Sequence, residues 1–494
     1  MTEANSTATG AHRSLAAGAL LCCLAHYVSG FMDAQAQAHP DSRDAQSSES
    51  VSDPDPLDEL DALDELDALD ELDALDELDA IGTAESGFGV RTVKAFIGSE
   101  FRSYFDDRDG PQNDEQLIFD SELELDLRLG GNFYLFARPR LLIDTLDTDL
   151  YRYEPLEGYL SYDGERFGVL VGQLIENWGI AEAFNPVDIL NRRDLAVDFL
   201  DPDPLGELTL RLQFQGQGNE VLGQPVLSGY LLPYWRNTRL PTPDSRFTPR
   251  DGVTNLRSSG GEEPNAAEGI FAAIRLEHTL NTALFNADVQ YIAARGPDRV
   301  PLFTPAARSD GGFDLIPAYY GAWFFGGGMR AVPNSGVLSK FTFKLELAYR
   351  EPYLFDDSTI GTPENYLQYT TGFDAQATNL FTERDQLLVT IEYLGEQLAD
   401  DAASDLRLFR SDFATRLFWE AQDFARTSLE LVGIVDWKTG ELILSTAFQR
   451  QLRRIHDDLQ LNVELQYFHI GDDQEILGLF PNNTRAIVRL QADF

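Results

Sequence analysis

Two stretches of alternating residues, 166–175 and 207–216, enclose a segment rich in residues able to bind or to select charge. Gln173 closes the first stretch. Trp178-Gly179 follows, then Asn185-Pro186, Asp188, Asn191 and the run Arg192-Arg193-Asp194. Asn-Pro and Asp form turns, and a tryptophan beside a strand end anchors chain at a membrane edge. Arg192, Arg193 and Asp194 would place fixed charge where a loop narrows a pore, and such charge sorts ions by sign. That chemistry is electrostatic rather than covalent. Two readings of 176–206 stay open: the residues constrict and bind, or they simply fold the loop.

Covalent chemistry has little to work with. The six histidines are scattered, and His12, His26 and His39 fall near the N-terminus. No zinc-protease, nucleophile-elbow or phosphate-loop motif occurs. His278 and His469 are the only histidines a barrel hydrolase would have to place on neighbouring lipid-facing strands. Cys22 and Cys23 are the only cysteines, so no disulfide framework or cysteine metal site is expected. No calcium loop of fixed spacing is present. No catalytic residue, metal or cofactor is therefore predicted.

The elements that must position the loop are strands. In 117–129, Leu117, Phe119, Leu123, Leu125, Leu127 and Leu129 share one face, while Asp120, Glu122, Glu124, Asp126 and Arg128 share the other. No helix sorts residues this way; a strand does, because its side chains alternate at 180°. About eighteen such segments recur, near 90–105, 116–130, 132–145, 152–162, 166–175, 207–216, 225–236, 269–280, 284–294, 314–332, 337–350, 366–379, 385–396, 406–420, 424–437, 440–451, 457–471 and 482–494. Many exceed the usual soluble strand of about 5–6 residues and suit a tilted strand across roughly 25–30 Å of hydrocarbon. The least clean is 314–332, with Phe324, Phe325 and three consecutive glycines.

Connections alternate short and long, as in barrels with tight turns at one end and long loops at the other. Segments 217–224 and 438–439 depart from that rule. An open sheet in lipid would leave costly unpaired amides, so the sheet must close. The prediction is an all-β transmembrane antiparallel barrel of about 18 strands (16–18) over residues 87–494. Glu122, Glu124, Asp126 and Arg211 are expected to face the lumen, with Arg138, Arg140, Lys340, Lys344, Arg350, Arg485 and Arg489. Trp178, Trp235, Trp419 and Trp437 fall near strand ends, where aromatic belts sit; Trp323 falls mid-strand.

The N-terminus is different. Residues 1–38 read as a signal peptide, with an apolar core at 15–24 and small-residue cleavage patterns at Ala34-Gln35-Ala36 and Ala36-Gln37-Ala38. Residues 39–86 form an acidic linker and arm holding four copies of Leu-Asp-Glu-Leu-Asp-Ala at 57–80. A leucine every third residue drifts about 60° per step on a helix, so no fixed apolar stripe forms. The arm is either a solvated low-complexity tether or a segment that pairs with a periplasmic partner. From Gly87 onward the chain carries 36 basic and 62 acidic residues, which mildly favours cationic or neutral permeants. The whole chain has a formal charge of −44, which argues against a nucleic-acid partner.

The chain ends in Ile487-Val488-Arg489-Leu490-Gln491-Ala492-Asp493-Phe494, which resembles the closing strand of bacterial outer-membrane proteins. That resemblance implies that Phe494 is a signal read by the barrel-insertion machinery. The pattern Gly172-Gln173, Trp178-Gly179, Asn185-Pro186, Asp188 and Asn191 resembles one found in uncharacterised porin-like outer-membrane proteins. It implies a barrel in outer-membrane lipid more than it implies a permeant. The first expectation is a channel for small or amphiphilic solutes, with 176–206 shaping the pore. The alternatives are a plugged structural or export-partner barrel that docks through the acidic arm, and a barrel hydrolase.

Overall fold

In a computed structural model the described residues are 87–494 without 106–113, 146–150, 199–201, 242–252, 257–268, 300–301, 308–312, 356–363, 399–410 and 470–483. The expected signal segment and acidic arm lie outside the described residues.

Alternation yields strands at every predicted place. The wall consists of β1 (Gly89–Tyr104), β2 (Glu115–Gly130), β3 (Phe133–Asp144), β4 (Arg152–Asp163), β5 (Phe167–Leu174) and β6 (Glu207–Gln215). It continues with β7 (Val226–Leu232), β8 (Phe271–Asn281), β9 (Phe285–Pro297), β10 (Gly321–Pro333), β11 (Phe341–Tyr353) and β12 (Tyr366–Thr378). It ends with β13 (Gln386–Leu398), β14 (Ser411–Glu420), β15 (Ser428–Asp436), β16 (Leu442–Gln451), β17 (Leu459–His469) and β18 (Arg485–Asp493). These eighteen strands form one sheet in which each pairs antiparallel with the next.

The sheet closes on itself. β18 pairs with β1 from Phe96↔Asp493 to Tyr104↔Arg485. Phe494 completes the seam: its N–H donates to the Ala95 carbonyl at 2.8 Å, and its own carbonyl accepts from the Ala95 N–H at 2.9 Å. With no edge left, no row of backbone amides faces lipid. Outward rows are apolar and exposed, as at Val93, Ile97 and Phe101 of β1 and Phe119 and Leu123 of β2. Glu100 and Arg102, one position out of phase, are buried.

The run 314–332 divides. Phe313–Ala318 belongs to a small three-stranded sheet outside the wall, together with Val253–Leu256 and Leu302–Ala307; only Gly321–Pro333 joins the barrel as β10. That division corrects two placements. Trp323 is not mid-strand but lies near the loop end of the wall, half-exposed, with the Arg295 guanidinium 5.2 Å from its ring. Lys340 is not in a lumen row. It sits in the 3-10 turn Val337–Lys340 before β11, and it is exposed.

Candidate functional site

The segment between β5 and β6 leaves the wall, packs against the lumen faces of many strands, and returns. The wall is low where it departs: β5, β6 and β7 have 8, 9 and 7 residues, against 16 in β1 and β2. Its base is tied by Asn191, whose side-chain amide donates to the carbonyls of Leu174 (2.8 Å) and Leu205 (3.2 Å) and whose Oδ1 accepts from the Glu176 N–H at 2.9 Å. Gln173 donates to the Pro155 carbonyl. Prolines 139 and 155 face each other at a bulge between β3 and β4, where ladder bonding is interrupted in any case.

From that base the loop reaches across the lumen. Glu176 lies 3.3 Å from Arg211 of β6 and 3.5 Å from Arg275 of β8, and it accepts from the Tyr230 hydroxyl of β7 at 2.6 Å. Gln290 of β9 donates to the Trp178 carbonyl at 2.5 Å. Glu346 of β11 accepts the N–H groups of Ile180 and Ala181 through one oxygen. Glu392 of β13 accepts those of Glu182 at 2.7 Å and Ala183 at 2.8 Å. Four successive amides of irregular chain are thereby satisfied by two wall carboxylates, which is how non-helical backbone persists inside a barrel. On the return path Arg350 of β11 donates to the Pro186 carbonyl at 3.0 Å.

A dry core forms where the loop meets β7–β11. Trp178, Val187, Ile189 and Leu190 pack against Tyr230, Leu232, Phe271, Ala273, Ile292, Ala294, Phe324 and Ala348. Trp178 is fully buried, with Tyr230 edge-on at a ring separation of 5.0 Å. It does not anchor the loop at the membrane edge. Trp235 is buried too, against Tyr319 at 4.6 Å. The close approach explains the last glycine of the run in β10: a Cβ on Gly328 would stand 2.6 Å from Ile180 Cδ1. One on Gly179 would meet the Asn185 side chain at 2.1 Å.

The predicted charges go elsewhere. Arg192 is buried, 3.2 Å from Glu207 and 3.6 Å from Glu154. Burial, with Arg236 nearby, depresses it to about 10, so it remains cationic at neutral pH. Asp194 accepts from Arg152 at 2.8 Å and from Arg239 at 2.7 Å. Arg193 pairs with Asp188, whose other oxygen accepts from the Trp178 N–H at 3.3 Å. Burial pushes the Asp188 carboxyl up, against the pull of Arg193. Asn185 supplies a carbonyl to the Asp188 N–H at 3.1 Å. The sequence pattern thus chiefly builds the loop rather than presenting groups to solvent.

Of the expected lumen residues, Glu122 lies 3.7 Å from Arg140, Glu124 takes Lys94 at 3.2 Å, and Asp126 takes Arg91 at 3.2 Å. His278 and His469 cannot cooperate as strand neighbours, because β8 pairs with β7 and β9 while β17 pairs with β16 and β18. Sequence reasoning missed Glu346, Glu392 and Gln290 as loop tethers. Their signal is weak: each is one polar side chain in a lumen row.

Opposite the dry core, between β1–β3, β17, β18 and loop residues Val197, Asp198 and Asp203, lies a cavity of about 520 Å³ lined largely by charged side chains.

No family model matches the chain, and no curated protein matches it. Solved structures do. A BenF-like porin from Pseudomonas fluorescens aligns at 10% identity and a TM-score of 0.46, over 81% of this chain and 97% of that one. OccK11 (OpdR) from Pseudomonas aeruginosa aligns at 11% and 0.44, over 81% and 95%. Wzi, a carbohydrate-binding β-barrel of Escherichia coli involved in group 1 capsule assembly, aligns at 10% and 0.43, over 84% and 86%.

Proposed function

We propose that the protein is a channel of the bacterial outer membrane through which small hydrophilic or amphiphilic solutes pass, its bore set by the loop 176–206. The observation that carries this reading is the pairing of a closed eighteen-stranded wall with an inward loop that fills one side of the lumen and leaves a charged cavity on the other. A structural barrel needs no such cavity. The turn end of the wall, where both Gly89 and Phe494 lie, faces the periplasm in this reading, and Phe494 serves as the insertion signal. Its lipid-facing aromatics, Trp323 and the exposed Trp437 among them, suit the membrane interfaces.

Purified protein reconstituted in planar bilayers tests the proposal. Steady single-channel currents are expected. A membrane that stays silent after confirmed insertion would show a plugged scaffold instead, and would favour the acidic arm as a docking element.

A further inference from the structure

We infer that permeation runs along one wall only, beside β1–β3, β17 and β18, and that it favours small cations over anions, with Glu122 and Glu464 setting the preference. This inference rests on the channel reading and names its permeant class.

The side beside β7–β11 is filled by the apolar core around Trp178, and the cavity across from it offers an aqueous route. Its lining holds six carboxylates and three arginines, and every one of those arginines is engaged. Arg102 pairs with Glu100 and donates to the Val197 carbonyl at 2.9 Å. Arg489 donates to the same Glu100, at 2.7 Å through Nε. Arg140 forks onto Asp120 at 2.8 and 2.6 Å and reaches Asp203 at 2.8 Å. Asp198, a fourth acid of the lining, is held by the fully buried Arg485 at 2.7 Å.

Two acids remain less committed. Among the described residues Glu122 has only the 3.7 Å approach of Arg140 as an ion pair. Glu464 accepts from two neutral groups, the Ser445 hydroxyl at 2.7 Å and the Gln466 amide at 2.6 Å. A guanidinium has donors alone, and once its fork is aimed at a carboxylate a passing anion must displace that partner. A carboxylate keeps lone pairs after one or two bonds and can meet a passing cation without losing them. The apolar core across the lumen is a low-dielectric wall that concentrates this field along the route. Phe96 is the only aromatic among the described lining residues, so a stacking surface for sugar rings is not offered there.

The test is the reversal potential of the purified protein in planar bilayers under a tenfold KCl gradient. The expected sign is cation-preferring, with a permeability ratio of about threefold or more. In E122Q/E464Q the ratio should fall at least about twofold, because the amides keep shape and lose charge. An anion-preferring or zero potential with steady current overturns this inference and leaves the channel standing; no current at all overturns the channel itself. An unchanged potential in the double variant also overturns it. Should that variant fail to insert, E464C is modified with a negative or a positive thiol reagent, with wild type treated alike as background. Cation preference returning only with the negative reagent supports the inference, and equal potentials with both overturn it.

Discussion

The two sides of the lumen obey the same alternation and end in opposite conditions. Beside β7–β11 the inward row carries an apolar patch, Tyr230, Leu232, Phe271, Ala273, Ile292, Ala294 and Phe324, closed over by Trp178 and Leu190, with the tethers Gln290, Glu346 and Arg350 beside it. Beside β1–β3, β17 and β18 the inward row is mostly charged, with Glu100, Arg102, Asp120, Glu122 and Glu464 facing a cavity and Ile118, Leu142 and Ile487 among them. The inward face of a barrel strand is therefore not polar by necessity. It is mostly charged beside the cavity, and where another part of the chain fills the lumen it combines an apolar patch with the few polar groups that tether that chain. Hydrophobicity on both faces of a barrel strand marks the place where a loop folds in.

Removing the keystone of the dry side should have the largest effect. Trp178→Ala deletes a fully buried indole and should cost about 3–5 kcal/mol of local packing, seen as noisy, enlarged single-channel currents. Trp178→Phe should stay close to wild type, since the indole Nε1 has no hydrogen-bond partner among the described residues. Equal behaviour of the two variants would mean that the core does not hold the loop.

Next come the arginines. Arg192→Glu would set a third carboxylate against Glu207 and Glu154, and breaking a buried pair costs roughly 3–5 kcal/mol. Arg193→Glu, at a pair about one-third exposed on the arginine side but buried at Asp188, should cost less, about 1–3 kcal/mol. Urea unfolding in detergent ranks them, and a larger loss at Arg193 would reverse the assignment of which arginine is structural. Neither residue lines the cavity, so a shift in reversal potential in a well-folded Arg193 variant would contradict a one-sided route.

A smaller, directional effect is expected at the tethers. Glu346→Ala with Glu392→Ala leaves the Ile180, Ala181, Glu182 and Ala183 amides without their acceptors; lumen water takes over most of them, so the net cost should be about 1–3 kcal/mol in all. Water entry then widens the bore, and conductance should rise by about twofold. Unchanged conductance would show that the core alone fixes the loop.

The wall was legible because alternation is a local property. Eighteen segments and the alternation of turns and loops followed from residues such as Leu117–Leu129. The error at 314–332 has the same root. Phe324 faces in and Phe325 faces out, and both are apolar because the loop covers the first and lipid the second. Asn185, Asp188 and Asn191 were legible as loop formers, since turn chemistry is local too. What covers Trp178, and which carboxylates catch the loop, depends on contacts about 50 to 210 residues apart in sequence, and no periodicity reports those.

The most direct measurement compares one cysteine on each side of the lumen, E122C beside the cavity and A273C in the dry core, during single-channel recording with a charged, water-soluble thiol reagent. The account predicts prompt reaction and a stepwise change in current for E122C, and no change for A273C. Modification of A273C at a comparable rate would show water on both sides of the loop and contradict the one-sided lumen.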